Sequence, residues 1–136
     1  MKKAEVALAA LSVALLAWSG AGCAQGVVDF GSREYGASCA SCHGPAGKGD
    51  GVLVRHLVSK PTDLTTLTRR NGGVFPSQRV WETIDGRGSV EIGAHGSREM
   101  PIWGLIYRSE DTQPQDLHAR NRIASLLDYL ARIQQK

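Results

Sequence analysis

Cys39-Ala40-Ser41-Cys42-His43 is the stretch from which the rest of the chain can be read. On a helix, cysteines at i and i+3 project from one side, and a histidine four positions after the first shares it. Two thiols so placed can reach the two vinyl groups along one haem edge while the imidazole coordinates the iron, and the five-residue pattern is read as c-type haem attachment. Other uses of the same side chains compete with this. A buried Cys pair beside an incidental His is the bland one, and unprotected thiols outside the cytoplasm would oxidise. A thiol–disulfide exchange site wants the pair at the start of a helix that follows a strand, whereas here it ends a helix and no strand pattern surrounds it. A zinc site needs four ligands, and no second Cys or His pair follows.

Working outward, a helix is expected from near Asp29, with Gly31, Tyr35, Ser38, Cys39 and Cys42 along one side, ending just after His43 at Gly44-Pro45. Gly44 to Gly51 is a loop by composition, and its glycines let backbone lie close to a flat ligand. Short helices follow from Asp63 to Arg70, capped by Thr62, and from Ser77 to Asp85, opened by Pro76 and closed by Gly86. Arg87 to Glu99 shows little periodicity and reads as a loop. A last helix starts near Pro114 or Gln115 and lines up Ile123, Leu126, Leu127, Leu130 and Ile133, with Tyr129 at the border. That stripe needs a partner, most simply the first helix. No alternating run long enough for a sheet is present, so the fold class is all-α.

The chain has 136 residues, within the size of one domain. Lys2 and Lys3 precede an apolar run from Val6 to Trp18 and the small residues Ser19 to Gly22, so residues 1–24 are expected to be a secretory signal peptide and residues 25–136 the domain. Cutting after Ala24 discards Cys23; a lipoprotein peptidase would instead cut before Cys23 and lipidate it. The expected compartment is the periplasm, with a membrane association only through a lipidated Cys23 or an uncleaved signal. With Cys23 set aside, Cys39 and Cys42 are the remaining cysteines of three, which excludes a disulfide framework. The formal net charge is +3, with no stripe of Lys and Arg interleaved with aromatics, so nucleic-acid binding has no electrostatic support. So Gly-rich a chain buries a modest apolar area, and an internal haem would serve as the missing core.

A haem iron held by His43 on one face needs a ligand from far along the chain on the other, and thioether sulfur is one choice in electron carriers. Apart from the initiator, the sole methionine is Met100, and Pro101 after it holds it extended. The competing use is filling a gap in the core. His95 is the nearest alternative ligand, with His56 and His118 behind it. Trp81 and Trp103 are candidates to donate indole hydrogen bonds to haem propionates. Arg69, Arg70, Arg79, Arg87, Arg98 and Arg108 either ring a haem edge or form a solvated face.

Three stretches resemble the class I c-type cytochromes, in particular small bacterial periplasmic monohaem members: Gly31-x-x-x-Tyr35-x-x-x-Cys39-x-x-Cys42-His43-Gly44, then Gly47-x-Gly49-Asp50-Gly51 with Pro61-Thr62-Asp63-Leu64-Thr65, then Met100-Pro101-x-Trp103-Gly104. The resemblance implies a cytochrome c fold of three to five helices with Gly-rich loops around one covalently bound haem c. It implies a crossing of first and last helices near Gly31 and Tyr129, His43 and Met100 as axial ligands, and the carbonyl of Pro61 as acceptor for His43. The chain departs from the commonest pattern between Gly86 and Met100 and between Leu105 and Leu117. The expected function is one-electron transfer with redox partner proteins and no bond-making step. The alternatives are a dedicated haem subunit of a periplasmic dehydrogenase or oxidase, and a haem-based ligand sensor or peroxidase.

Overall fold

The computed structural model describes residues 28–87, 100–110 and 115–135. The expected signal peptide with Cys23, and residues 88–99 of the expected Arg87–Glu99 loop with its His95 and Arg98, lie outside them. Among the described residues the fold is all-α with no strand, and it has six α-helices where three to five are implied by the resemblance. These are α1 (Phe30–Ser38), α2 (Ala40–His43), α3 (Leu67–Arg70), α4 (Ser77–Asp85), α5 (Trp103–Ser109) and α6 (Gln115–Arg132). Two further single turns of 3₁₀-helix cover Val54–His56 and Leu64–Thr66. No described helix is long and apolar enough to cross a membrane.

Asp29 caps α1, its carboxylate accepting from the Ser32 N–H at 3.0 Å. The expected continuous helix through His43 breaks at Cys39, which closes α1 and opens α2. The following loop folds back on α2 and takes its carbonyls: Gly49, Gly51 and Leu53 donate to His43, Cys42 and Ser41 at 2.8, 3.1 and 2.9 Å. A β-carbon on Gly51 would collide with the Ser41 and Cys42 carbonyls, so only glycine lets the loop lie this close. The Asp63–Arg70 helix is also split, into a 3₁₀ turn and α3, and its cap is Asp63 rather than Thr62: the Asp63 carboxylate accepts from Thr65 N–H at 2.9 Å. α4 runs as expected from Ser77 to Asp85, with Gly86 in the left-handed conformation at its end.

Along α6, Ala119, Ile123, Leu126 and Leu130 are buried, and Leu127, with Ile133 just past the helix end, is partly so. They pack on α1, α5 and α4. Gly31 makes the α1 contact possible, because a β-carbon there would fall on the Ser125 carbonyl and 2.8 Å from Tyr129 Cβ. One turn on, Tyr35 stacks at 5.0 Å on Tyr129 and donates its hydroxyl to the Gly44 carbonyl at 2.6 Å. The helix α5 was not expected from sequence, yet it supplies Tyr107, a fully buried member of the core. Seven residues with a mixed Leu-Ile-Tyr-Arg face give too little periodicity to read, and only the docked position shows which side is inside. Gln134 joins the chain end to this frame, accepting from Thr68 N–H at 2.9 Å and donating to the Leu64 carbonyl at 2.7 Å.

Two carboxylates are drawn inside. Glu34 accepts from both Nε and Nη2 of Arg122 at 2.9 and 3.0 Å, from Tyr107 at 2.8 Å and from Ser38 at 2.7 Å. Arg122 lies 3.9 Å over the Tyr107 ring and also pairs with Glu110. Asp85, 4% exposed, is paired with Arg87 and Arg108. Burial pushes both carboxyls up, but their hydrogen bonds, to Arg122, Ser38 and Tyr107 for Glu34 and to Arg87 and Arg108 for Asp85, leave them below the ordinary carboxylate values.

Two glycines of α1 should respond oppositely to alanine. Gly31→Ala is expected to cost about 1–3 kcal/mol through overpacking. Gly36→Ala, with nothing within 4 Å of its added carbon, should gain about 0.5–1 kcal/mol from helix propensity. Urea unfolding of the two variants checks both signs. The depressed carboxyls give a pH dependence: their stabilisation is present above the unfolded values of 4.5 and 3.8 and is lost as pH falls through the lower folded values. A urea midpoint that did not fall over that acid range would contradict this.

Candidate haem site

The α1–α2 break carries the motif to the edge of the core. Cys39 and Cys42 are half-buried and not joined to each other. Two cavities of about 310 and 420 Å³ open beside them, within the size range of cofactor sites. Cys39, His43, Thr62 and Met100 line both. The first is walled largely by aliphatic side chains, including Leu64, Leu67, Val80, Ile84 and Leu130. The second is bounded by Cys42, Leu53, Leu57, Pro61 and Trp103.

His43 has its ring oriented by the backbone, with Nδ1 3.0 Å from the Thr62 carbonyl. Since a carbonyl only accepts, Nδ1 carries the proton and Nε2 keeps its lone pair. Burial lowers the His43 pKa and outweighs the opposing pull of the Thr62 carbonyl, so the ring is neutral near pH 7, the form that ligates metals. The acceptor is therefore Thr62, where the resemblance implies Pro61. The Pro61 carbonyl lies instead against Gly49, where a β-carbon would strike it. The two carbonyls are one residue apart, and Gly49, by letting the chain approach here, turns the next one toward His43.

Met100 comes from the far end of the chain to the same two cavities as His43. Trp103 follows it and lines the second, but Trp81 does not join them. It borders a separate, open cavity with Gln78, Arg87, Asp116 and Arg120. Of the arginines, Arg70 and Arg79 line the first cavity, and Arg87 and Arg108 are engaged by Asp85. His56 and His118 line neither cavity: His56 accepts from Arg55 at 3.1 Å, and His118 sits on α6 beside Arg122. Leu67 and Thr83 are site residues that carry no motif; they become visible only when α3 and α4 close on each other.

The chemistry of this donor set suits a c-type haem: a thiol pair at helical spacing, a neutral imidazole with one free nitrogen, a thioether, and an apolar wall around them. It suits the rivals less well. Burial, then the charges of Glu34 and Cys42, push the Cys39 thiol up to about 12, whereas exchange cysteines need a lowered value to be thiolates. No cluster of three or more His, Cys, Asp or Glu side chains gathers among the described residues, as a tetrahedral zinc site requires. No family model, curated protein or solved structure matches the chain, so its own residues carry the argument.

Proposed function

We propose that the chain is an exported one-electron carrier with a single covalently attached c-type haem, built on a cytochrome c fold. The observation that carries the reading is that Cys39, His43 and Met100, 61 positions apart from first to last in the sequence, border the same two cavities. When bound, the haem supplies reversible one-electron exchange at its iron. Cys39 and Cys42 tether it by thioethers, which makes the attachment permanent. Nε2 of His43 would hold the iron, the ring being oriented by the Thr62 carbonyl; such a partner fixes the ring and raises its basicity. The Met100 sulfur would be the second protein donor to the iron, a choice that would raise the reduction potential relative to a second imidazole. Leu64, Leu67, Val80, Ile84 and Leu130 exclude water from the iron, which lowers the local dielectric and favours the less charged redox state. If His43 and Met100 both held the iron, no site would be left for peroxide or oxygen, and this favours a carrier over a sensor or peroxidase. Its partners are then redox proteins of the periplasm, either met by diffusion or joined permanently as in a dehydrogenase or oxidase complex.

Purified exported chain should show the absorption bands of a c-type haem that acid–organic solvent fails to extract. A product without covalent haem would falsify the proposal. Replacing both cysteines, Cys39→Ser and Cys42→Ser, should make any bound haem extractable. Met100→Ala should keep the covalent haem but lose the long-wavelength ferric charge-transfer band of a thioether–iron bond. It should also bind carbon monoxide rapidly in the ferrous state, which the unmodified protein should not. Rapid carbon monoxide binding by the unmodified protein would instead support the sensor or peroxidase reading.

A further inference from the structure

We propose that Asp85 is a positioning residue for Met100, its buried carboxylate clasping the chain that carries the sulfur against the helix that walls the cavity. This rests on the reading of Met100 as the iron ligand. Asp85 ends α4, the helix whose Val80, Thr83 and Ile84 line a cavity with Met100. Its Oδ1 accepts from Arg108 Nη1 at 2.7 Å and its Oδ2 from Arg87 Nε at 2.5 Å. Arg108 lies on the helix that follows Met100, so its bond ties the chain leaving the ligand segment to α4, while Arg87, two residues from Asp85, compensates the second oxygen. Arg87 also approaches Asp116 of α6 at 3.7 Å.

Backbone contacts around Asp85 are equally close. A β-carbon on Gly104 would fall on Asp85 Oδ1 and lie 2.6 Å from its carbonyl oxygen and 2.8 Å from its Cα, and one on Gly86 would strike Ile102. Ile102 and Gly104 therefore sit directly on Gly86 and Asp85, two and four residues after Met100. A carboxylate this deep keeps its charge only where both oxygens are compensated, which confines the arrangement to the one in which Arg87 and Arg108 both reach it. Neither Asp85 nor its two arginines line the cavities shared by His43 and Met100. Their effect on the iron is thus exerted through the position of residues 100–104. A thioether is a weak donor, and its bond to iron survives only if the scaffold holds the sulfur within reach.

The test uses the holoprotein with Asp85→Asn, which keeps the size of the side chain and removes its charge, beside Arg87→Gln and Met100→Ala. Asp85→Asn is expected to retain covalent haem and helical far-UV circular dichroism. It should lose most of the thioether charge-transfer band, bind carbon monoxide as Met100→Ala does, and show a lowered reduction potential. Arg87→Gln, on an exposed side chain, should weaken the band in the same direction by a smaller factor, and decides the matter if Asp85→Asn fails to fold. A full band and no carbon monoxide binding in the folded variants, with Met100→Ala losing the band, overturns the clasp and leaves the ligand assignment standing. A band that is absent from the unmodified holoprotein overturns the ligand assignment and the clasp with it.

Discussion

The approach of α1 to α6 at Gly31 sets the frame on which the other elements depend. Because position 31 has no side chain, the two backbones come together over the Ser125 carbonyl and the Tyr129 β-carbon. That closeness brings Tyr35 onto Tyr129, an aromatic pair worth about 0.5–1.5 kcal/mol beyond its buried area. The same Tyr35 reaches past the end of α2 to the Gly44 carbonyl. The turn with Cys39, Cys42 and His43 is thus held at both ends, by the crossing before it and the tyrosine hydroxyl after it. A bulkier residue at 31 would move the whole turn relative to α6, and with it the side of the cavity that His43 supplies.

Against this frame α5 is held by polar bonds on two sides. Adjacent residues reach different carboxylates: Tyr107 donates to Glu34 of α1 and Arg108 to Asp85 of α4. Breaking one partner from a buried, hydrogen-bonded ion pair costs about 3–5 kcal/mol, because the other charge is left uncompensated. The bonds are specific in a way that aliphatic packing is not, since a carboxylate and a guanidinium meet in few geometries. A short helix of seven residues, too short to be stable alone, acquires a unique position by this means. Met100 lies three residues ahead of that helix, so the precision of its placement follows from the docking of α5.

Local chemistry made part of this legible in the chain. The helical spacing of Cys39, Cys42 and His43, the cap at Asp29, the stop at Gly86 and the apolar stripe of α6 each follow from rules that act within a few residues, and the structure agrees with them. The break at Cys39 was not legible, because it accompanies a loop that takes the carbonyls of Ser41, Cys42 and His43 from outside. Nor was the acceptor of His43. Pro61 and Thr62 differ by one residue in sequence, and which carbonyl faces the ring is decided by the contact of Pro61 with Gly49. Trp81 and Trp103 read alike as propionate donors, yet helix docking sends one to the far side of α4 and the other to the cavity with Met100.

By itself, then, the sequence determined the all-α class, the main helices and the residues proposed to hold a haem, since periodicity and donor chemistry are properties of short stretches. Only the tertiary structure decided that His43 and Met100 share a cavity, that Thr62 orients the imidazole, and that Arg108 of α5 pairs with the buried Asp85 of α4. The physical reason is the same in each case. These contacts join residues far apart in the chain, and their distances are set by how closely helices approach at glycines and by which buried charges must be paired.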